Sequence, residues 1–591
     1  MDIEIVAIGA ATSVGSNAQL SAASVLAGLG RNRLHDLDNG VTCHVAVLPS
    51  ENQDAPPDAT LRSRELLTRA LKEISEPLSA PASVHVYLSA PPGMSTEALL
   101  PPGTHVGALR CERVSRMEDD SGLAGLEPAL AALRASECEL ACLAGVDVRT
   151  DEATLTQLEQ RGILITDESP WGFIPGEGAA AVLLATDRSR SALKLPRLAT
   201  IHAIATDTET AATRGEPCIG EALTRVCHKV LDTLPSEHVV GEVYSDLNGE
   251  RSRASEWSYT LSRIGARCRD VMAVCTPAFL WGDVGHANGA LLVQLATCQL
   301  SQGHTRGDHA LVWTAGRPGA RTAVLLSRLE VETVPLQLPA AASPTQADHD
   351  ASVVDELLSE ASFLFEQRGR VVMEREQAPE NGLPKQERLE QRLERHVQAL
   401  SLGGGLVFDR SAEMQDLGGA IYVTARLALN AGAQERILAL LKASGTPEQQ
   451  AELRSALIHA ADAKHATLAE ALLFSALPGA WALGLWLAAE LCAVPSRPWR
   501  DLALAGGPRV LGDSFPHALA RMGSASHAPL LEPWLLDDSA STRELAALAY
   551  MALDRASARE LLISLADPMF LPVLAVSSEV GDQAALIQAC E

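Results

Sequence analysis

The chain has 591 residues, room for about three to five domain-sized units, and its 47% hydrophobic and 21% charged residues are typical of a folded protein. Asp and Glu (74) outnumber Lys and Arg (48), and the formal net charge is −26. Because phosphate groups bind clustered Lys and Arg, this balance disfavours nucleic-acid binding and docking on anionic membranes.

The N-terminus and the cysteines indicate a reducing, cytosolic setting. The first four residues, Met1 to Glu4, are acidic where a signal peptide would be basic, and no small-residue cleavage site follows an apolar core. The eleven cysteines are an odd number without a C-x-x-C pair. We therefore expect free thiols rather than a disulfide framework.

From residue 1 to about 330, short apolar runs rich in β-branched residues alternate with helical patterns. Such alternation predicts an α/β layered domain. The runs form two series that look like two similar halves. The predicted strands lie at Ile3–Ile8, Val84–Leu88, Leu140–Leu143, Ala179–Leu184, Leu198–Ile204, Val239–Tyr244, Val271–Val274, Ala310–Trp313 and Thr322–Leu326.

After about residue 330 the strand signal nearly vanishes. Residues 331–351 are rich in Pro and Ala without a helical or strand period, which predicts a linker. Ser352 is a candidate N-cap for the first helix of an all-α region over 352–591. From about residue 417, Ala/Leu-rich segments alternate with short breaks, the layout of stacked helical hairpins.

Nineteen uncharged residues, Ala471 to Ala489, are long enough to span a bilayer. Pro478 and Gly479 lie in the middle of this run, where a turn would end one helix and begin another. The sequence therefore favours two short buried helices and no membrane span.

Four segments of the first half carry a family resemblance. They are Ile5-Val6-Ala7-Ile8-Gly9-Ala10-Ala11-Thr12-Ser13-Val14-Gly15, Leu143-Ala144-Gly145-Val146-Asp147, Gly172-Phe173-Ile174-Pro175-Gly176-Glu177-Gly178 and Gly285-His286-Ala287-Asn288-Gly289. In this order, they resemble the thiolase-fold β-ketoacyl synthases. The resemblance implies a thiolase-like αβαβα domain over 1–330 that dimerises as that family does.

The same resemblance implies a catalytic Cys at a helix N-terminus, two His and a Lys. The nucleophile position falls at Asp119, Asp120 and Ser121, with no Cys within several residues. The remaining three positions hold Asn248 for the first His, Trp281 for the Lys and His286, which alone is retained.

These six residues describe a vestigial pocket, because a carboxylate forms no thioester and Trp does not replace a cationic Lys. We expect a pseudoenzyme without catalytic residues. Three smaller readings remain open at this stage: His286 as a structural His, Asp119 and Asp120 as helix caps, and Ser121 as an acyl-transfer nucleophile with His286 as base. Asp119 and Asp120 lack nearby metal-ligand partners, and we expect no metal and no cofactor.

The second half resembles HEAT-like repeat proteins. Its clearest unit is an apolar helix at Leu530–Leu536, an Asp-rich turn, and an Ala-rich helix with Arg543 near its start. The pattern predicts that Asp537 or Asp538 caps the second helix and that Arg543 reaches carboxylates of the neighbouring turn. Residues 356–364 and 388–396 also resemble a HEAT-type family encoded near bacterial type VI secretion genes.

Both halves point to protein binding, so the leading hypothesis is a cytoplasmic adaptor or co-chaperone. The resemblances suggest a type VI effector, a PAAR-type spike tip or its chaperone as partner, with a homodimer through the thiolase-like domain also possible. The alternative is an acyl-chain or acyl-carrier-protein binding partner of a ketoacyl synthase, or a residual acyltransferase using Ser121. A bilayer protein using 471–489 is the third hypothesis.

Overall fold

The computed structural model describes residues 3–50, 58–118, 120–166, 169–214, 216–316, 319–328, 343–377, 383–414, 417–576 and 588. The chain forms two compact units. The first comprises Met1–Glu360 and Gln391–Arg410, and the second comprises Ala361–Glu390 and Ser411–Glu591.

The first unit is built on an 11-stranded sheet and a two-stranded hairpin. The strands of the described residues are β1 (Ile3–Thr12), β2 (Asn32–Asp36), β3 (Thr42–Ala46), β4 (Ala82–Ser89), β5 (Thr104–Val106), β6 (Leu109–Met117), β7 (Leu140–Val148), β8 (Glu177–Thr186), β9 (Ala199–Thr208), β10 (Glu242–Ser245), β11 (Val274–Cys275), β12 (His309–Ala315) and β13 (Ala320–Ser327). Eight of the nine predicted strands are confirmed, with ends that differ by a few residues. The predicted strand Val271–Val274 is shorter and shifted, because β11 covers Val274–Cys275.

The order of the strands shows two equivalent halves. In the first half the order is β6-β4-β7-β8-β1, and in the second it is β11-β10-β12-β13-β9. Numbered within each half, both orders are 3-2-4-5-1. Strands β1 and β9 pair antiparallel where the halves meet. This repeated topology supports the two similar halves expected from the sequence.

Helices complete a layered arrangement of this unit. Helix α11 packs against strands of both halves, whereas α2 packs on β1, β7 and β8 and α8 packs on β9 and β13. Alternate residues of β8 face α2, and α11 also packs on β8, so that both faces of this strand are covered and apolar. The helices up to this point are α1 (Ala18–Ala27), α2 (Ala59–Ser75), α3 (Thr96–Leu99), α4 (Leu126–Arg134), α5 (Glu152–Gln160), α6 (Asp187–Leu193), α7 (Thr210–Arg214), α8 (Glu221–Leu231), α9 (Arg251–Ile264), α10 (Ala278–Trp281) and α11 (Asn288–Ser301).

All regular elements of the described residues after Ser343 are helices. Their α-helices are α12 (Pro344–Gln377), α13 (Leu383–Ser401), α14 (Gly404–Glu413), α15 (Ala420–Asn430), α16 (Gln434–Ala443), α17 (Pro447–His459), α18 (Ala466–Leu473), α19 (Pro478–Leu491), α20 (Trp499–Leu511), α21 (Ser514–Met522), α22 (Ala540–Leu553), α23 (Arg555–Ser564) and α24 (Leu571–Val576). Pro478 begins α19, and the uncharged run is divided between α18 and α19 as predicted. Among the described residues, no helix has the length and apolar character needed to cross a membrane.

Two predicted boundaries are wrong. Helix α12 begins at Pro344, so residues 344–351 are helical rather than linker, and Ser352 lies inside the helix instead of capping it. These residues belong to the first unit, within which Ser16 donates a hydrogen bond to Asp350 at 2.8 Å. The remaining linker residues, 331–342, lie outside the described residues.

The predicted repeat unit also differs in detail. Its first helix is a 3-10 helix over Ala525–Leu536, which contains Pro529 and Pro533. Ser539, rather than either Asp of the turn, caps α22. Arg543 does reach the neighbouring turn, with its Nε 3.5 Å from Asp567.

Candidate functional site

His286 lies where the end of β7 meets a 3-10 turn over Gly285–Ala287. Its Nδ1 is 2.9 Å from Oδ2 of Asp147, and its backbone N–H donates to the same oxygen at 3.1 Å. A Cβ at Gly145 would lie 2.7 Å from the His286 carbonyl oxygen, so this turn approaches β7 as closely as a glycine allows. The Asp147 carboxylate therefore fixes the orientation of the imidazole.

Arg149 extends this pair into a buried network. Its guanidinium donates to Asp147 at 3.3 Å and to Asp283 at 3.0 Å. Asp283 also accepts hydrogen bonds from the side-chain amides of Asn248 and Asn288. Burial alone would raise the pKa of Asp283, but Arg149 and Arg253 outweigh it and lower that pKa to about 2.

The network continues through Asn248 to the start of α9. Glu250 donates its backbone N–H to Asn248 at 3.1 Å, and Arg253 donates to Glu250 at 2.9 Å and to Asp246 at 2.5 Å. Burial raises the pKa of Asp246 in spite of Arg253. Asn248 thus occupies the position expected to hold the first catalytic His. Its side-chain amide donates to the carboxylates of Glu250 and Asp283, and it has no titratable proton.

The segment at the nucleophile position lies against the same turn. Asp119 lies outside the described residues. Ser121 is buried, and its Oγ accepts a hydrogen bond from Leu123 at 3.2 Å. Gly122 has φ +74°, and a Cβ there would lie 2.8 Å from the His286 carbonyl oxygen. The segment that contains Ser121 therefore packs against the backbone of the His286 turn.

The helix after this segment begins later than the sequence indicated. Helix α4 starts at Leu126, with Gly125 as an N-cap that makes no side-chain hydrogen bond. The expectation that Asp120 caps this helix is therefore wrong. Its carboxylate instead acts on Arg149, since Asp120 is among the charges that raise the pKa of that guanidinium against its burial.

Trp281 is a core residue. It is 1% exposed, its carbonyl oxygen accepts from Ser13 at 3.4 Å, and it lies beside Gly176. Its indole Nε1 has no hydrogen-bond partner among the described residues. Hydrogen bonds link His286 and Asn248 through the network above, whereas Trp281 contacts Ser13, just after β1, and Gly176, just before β8.

Burial raises the pKa of every buried or half-buried cysteine that the structure describes. Cys111, which precedes the nucleophile position, has a pKa of about 11 within β6. The others with raised values are Cys43, Cys138, Cys142, Cys218, Cys227, Cys268, Cys275 and Cys298. Such thiols stay protonated near neutral pH and are poor nucleophiles.

Sequence reasoning missed the ionic partners of this site. Asp147 ended a recognised segment, but its contact with His286 across 139 residues was not foreseen. The other charged partners lie close in sequence to residues that the resemblance had marked. Arg149 is two positions after Asp147, Asp283 is three before His286, and Arg253 is five after Asn248. A charged residue at the end of a buried strand, or beside a glycine turn, was the sequence pattern that could have indicated a buried ion pair.

One group of metal-ligand atoms converges elsewhere. Among the described residues, donor atoms of Glu209, Cys218 and Glu256 all lie within 4.8 Å of one another. Arg321 donates to both Glu256 oxygens, at 2.6 and 2.8 Å, and Glu209 accepts from Ala222 at 2.9 Å. Because these carboxylates are already paired, the group is better explained as a salt-bridged cluster than as a metal site.

Comparisons with known proteins agree with the geometry. Residues 119–189 match the family model for the N-terminal domain of β-ketoacyl synthases. Among curated proteins, no match was found.

Several solved structures are similar to the chain. A type II polyketide acyl-carrier protein in complex with its ketosynthase, AntDE:AntF, shares 11% identity, with 56% of this chain and 99% of that chain covered and a TM-score of 0.45. The ishigamide ketosynthase/chain length factor shares 16% sequence identity, and the match covers 56% of this chain and 100% of that one, with a TM-score of 0.42. The module 6 ketosynthase of the Bacillus subtilis 168 bacillaene synthase shares 13% sequence identity with this chain, and the match covers 77% of this chain and 94% of that one, with a TM-score of 0.45.

The predicted fold class is confirmed. The large mixed sheet with helices packed on it, the repeated strand order and the family match over 119–189 describe a thiolase-like α/β region of the ketoacyl-synthase type, followed by an all-helical region.

Proposed function

We propose that this protein is a non-catalytic scaffold that binds another protein, using a ketoacyl-synthase fold whose reactive groups are replaced. The observation that carries the proposal is the pairing of His286 with Asp147 inside a network of fixed ion pairs. A condensing site needs a nucleophile and donors that are free to meet an acyl group. Here the corresponding polar groups bond to one another.

The chemistry of the nucleophile position supports the same proposal. A thioester requires a thiolate, and Asp119-Asp120-Ser121 offers two carboxylates and a hydroxyl. The nearest preceding thiol, Cys111, is buried with its pKa raised to about 11. A pseudoenzyme of the ketoacyl-synthase type is the function class that fits both facts.

The helical region suggests how a partner is bound. Stacked helices in the manner of HEAT-like repeats present an extended surface to another polypeptide. The resemblance to a HEAT-type family encoded near type VI secretion genes extends the proposal to its partner. We therefore name an effector, a PAAR-type spike tip or its chaperone, bound in the bacterial cytoplasm before secretion.

A second candidate rests on the His286–Asp147 pair itself. An imidazole held by a carboxylate is the base of a Ser-His-Asp arrangement, and Ser121 lies in the segment that packs on the His286 turn. Under this alternative, the protein is a residual acyltransferase through Ser121. An acyl-chain or acyl-carrier-protein binding partner of an active synthase is the related, non-covalent form.

Intact-mass measurement separates the scaffold from the acyltransferase. The full chain is incubated with acyl-carrier-protein and acyl-CoA donors, with an active ketosynthase as positive control. We expect no covalent adduct on the wild type. An adduct that disappears in Ser121→Ala and His286→Ala, but persists when the exposed Ser95 is changed to Ala, would replace the scaffold proposal with the acyltransferase.

Co-expression tests the partner. The full chain is produced with type VI spike-tip, effector and chaperone proteins, and complexes are measured by size exclusion with light scattering. A stoichiometric complex with one of them supports the adaptor proposal. Binding only to an acyl-carrier protein or an active synthase supports the acyl-partner alternative and refutes the secretion role.

A further inference from the structure

One face of the helical unit carries aromatic and basic side chains from three neighbouring helices. Helix α19 packs on both α17 and α21. Arg454 lies on α17, Trp486 and Glu490 on α19, and His517 and Arg521 on α21. Residues four positions apart lie on one side of a helix, which places each of the last two pairs together. Arg521 is exposed and the other four are half-buried, so this basic strip faces solvent.

Contacts between the side chains make the basic strip continuous. The guanidinium carbon of Arg454 is 5.3 Å from the ring centroid of Trp486, and the ring centroids of Trp486 and His517 are 4.3 Å apart. Oε1 of Glu490 lies 3.3 Å from Nε2 of His517 and 3.6 Å from a guanidinium nitrogen of Arg521. A cation over an aromatic ring is attracted by the ring quadrupole, so Arg454 is positioned by Trp486.

The basic strip has more positive charge than its own carboxylate balances. Glu490 is shared by His517 and Arg521, whereas the guanidinium of Arg454 makes no ion pair or hydrogen bond with any described residue. The chain as a whole has a formal net charge of −26, so this local surplus is opposite in sign to the rest. Guanidinium groups bind carboxylates with two parallel hydrogen bonds. The surplus therefore favours an acidic ligand.

The side chains of the basic strip are those of a protein interface. Trp and Arg are enriched among the residues that contribute most to protein–protein binding. Trp486 adds apolar surface beside the guanidinium of Arg454. An extended nucleic acid or an anionic membrane would also meet the negative charge of the remaining chain, which a short acidic peptide segment avoids.

We propose that the basic strip binds an acidic segment of the partner protein. Carboxylates of that segment pair with Arg454 and Arg521, and an apolar side chain between them packs on Trp486. The inference rests on the scaffold function proposed above, to which it adds a surface and a partner chemistry. The matching pattern is Asp or Glu on both sides of an apolar residue.

Fluorescence anisotropy with the full chain tests the basic strip directly. The probe is a short rhodamine-labelled peptide of Glu, Leu and Phe, and the reference is the same peptide with Gln in place of every Glu. We expect the acidic peptide to bind at least about tenfold more tightly, because hydrogen bonds to charged groups are the stronger ones. Its affinity should fall as salt is added, since exposed charges are screened.

Substitutions locate the peptide on the strip. Arg454→Met and Arg521→Met should each weaken the acidic peptide by at least about fivefold, the effect of losing a significant interface side chain. Arg500→Met is the control, because Arg500 is an exposed arginine on α20, outside the strip. Unchanged affinity in the first two variants, an equal loss in Arg500→Met, or equal binding of the Glu and Gln peptides would overturn the inference.

The double variant Arg454→Met and Arg521→Met separates this inference from the scaffold function. A co-expressed partner complex that forms equally well with the double variant would overturn the strip and leave the scaffold function standing. Loss of that complex in the double variant, but not in Arg500→Met, would support the strip. A wild-type chain that self-associates and becomes monomeric in the double variant would assign the strip to a second copy and overturn the inference.

Discussion

At the residue scale, a set of mutual ion pairs surrounds His286. Asp147 and Asp283 are buried, and each contacts Arg149. Burying a carboxylate is costly unless a cation and hydrogen-bond donors compensate it. The members of this network therefore depend on one another for their stability in the buried site.

This dependence predicts the effect of removing the shared cation. Arg149→Met leaves Asp147 and Asp283 buried without their guanidinium partner. We expect the free energy of unfolding of the first unit to fall by about 3–5 kcal/mol, the typical result of breaking a buried pair. Urea unfolding of the full chain, followed by hydrogen exchange of peptides around β7, measures the change.

Arg225→Met is the matched control. Arg225 pairs with Asp207 at 2.7 Å, but its side chain is 51% exposed. Such surface pairs contribute about 0–1 kcal/mol. If both substitutions lower the stability equally, the buried network is not the stabilising feature described above.

At the element scale, the start of α4 decides the electrostatics of the nucleophile position. A helix N-terminus stabilises an anion only within its first turn. Ser121 lies five positions before Leu126, where α4 begins, and Gly125 offers no side-chain cap. The helix dipole that activates a thiolate in a condensing site therefore does not act on Ser121.

The first turns of helix α12 contain buried polar residues that hydrogen-bond with Ser16. Ser16 donates to Asp350 at 2.8 Å, and Gln346 donates to Ser16 at 2.8 Å. The other carboxylate oxygen of Asp350 has no partner among the described residues. Burial raises the pKa of Asp350 to about 6, even though Ser16 and Arg69 act in the opposite direction.

Asp350→Asn should therefore stabilise the packing of α12 at neutral pH. The free-energy cost of the buried charge is absent below about pH 4, grows as the pH rises from about 4 to about 6, and levels off at about 3 kcal/mol above that. Asparagine keeps an acceptor for Ser16 and removes the charge. Hydrogen exchange of residues 344–360 should slow in the variant at pH 8 and match the wild type at pH 4.

His349 has the opposite pH dependence, because burial and Arg31 lower its pKa to about 4. Comparing the variant with the wild type at each pH cancels this contribution. Asp348→Asn, an exposed carboxyl on the same helix, is the control and should change nothing. Faster exchange in Asp350→Asn at pH 8 would show that the charge itself holds the helix.

At the scale of the whole molecule, each unit has a core of its own. The core of the helical unit includes Trp534, which is fully buried, stacks on Phe515 at 4.5 Å and donates its indole N–H to Gly512 at 2.9 Å. The layered unit has separate cores on α2 and α8. Units with their own cores unfold as separate cooperative blocks.

Trp534→Ala tests this division. Removing a buried Trp leaves a cavity and costs about 3–5 kcal/mol. We expect faster hydrogen exchange and a lower unfolding midpoint for peptides of 499–576, with peptides of β1, β8 and β12 unchanged. Leu504→Ala, at a 77% exposed position, is the control and should have little effect. Equal loss of protection in β1 and β8 would mean one cooperative core.

Prediction from the sequence succeeded where a pattern is local. Apolar runs located most strands of the sheet, and Pro478 located the break between α18 and α19. It failed for the hairpin β2–β3 and for β6, where exposed polar residues interrupt the apolar pattern. It also placed the start of α12 too late, because the Ala- and Pro-rich composition around residue 344 hid a helix that tertiary packing supports.

The amino-acid sequence by itself determined the layered fold class, the helical second half and the absence of a Cys at the nucleophile position, since these depend on residue identity and short-range period. Only the tertiary structure decided that Asp147 holds His286 and that Arg149 joins two distant carboxylates. Such contacts join residues tens to hundreds of positions apart. Their geometry is set by strand order and register, which local sequence patterns do not specify.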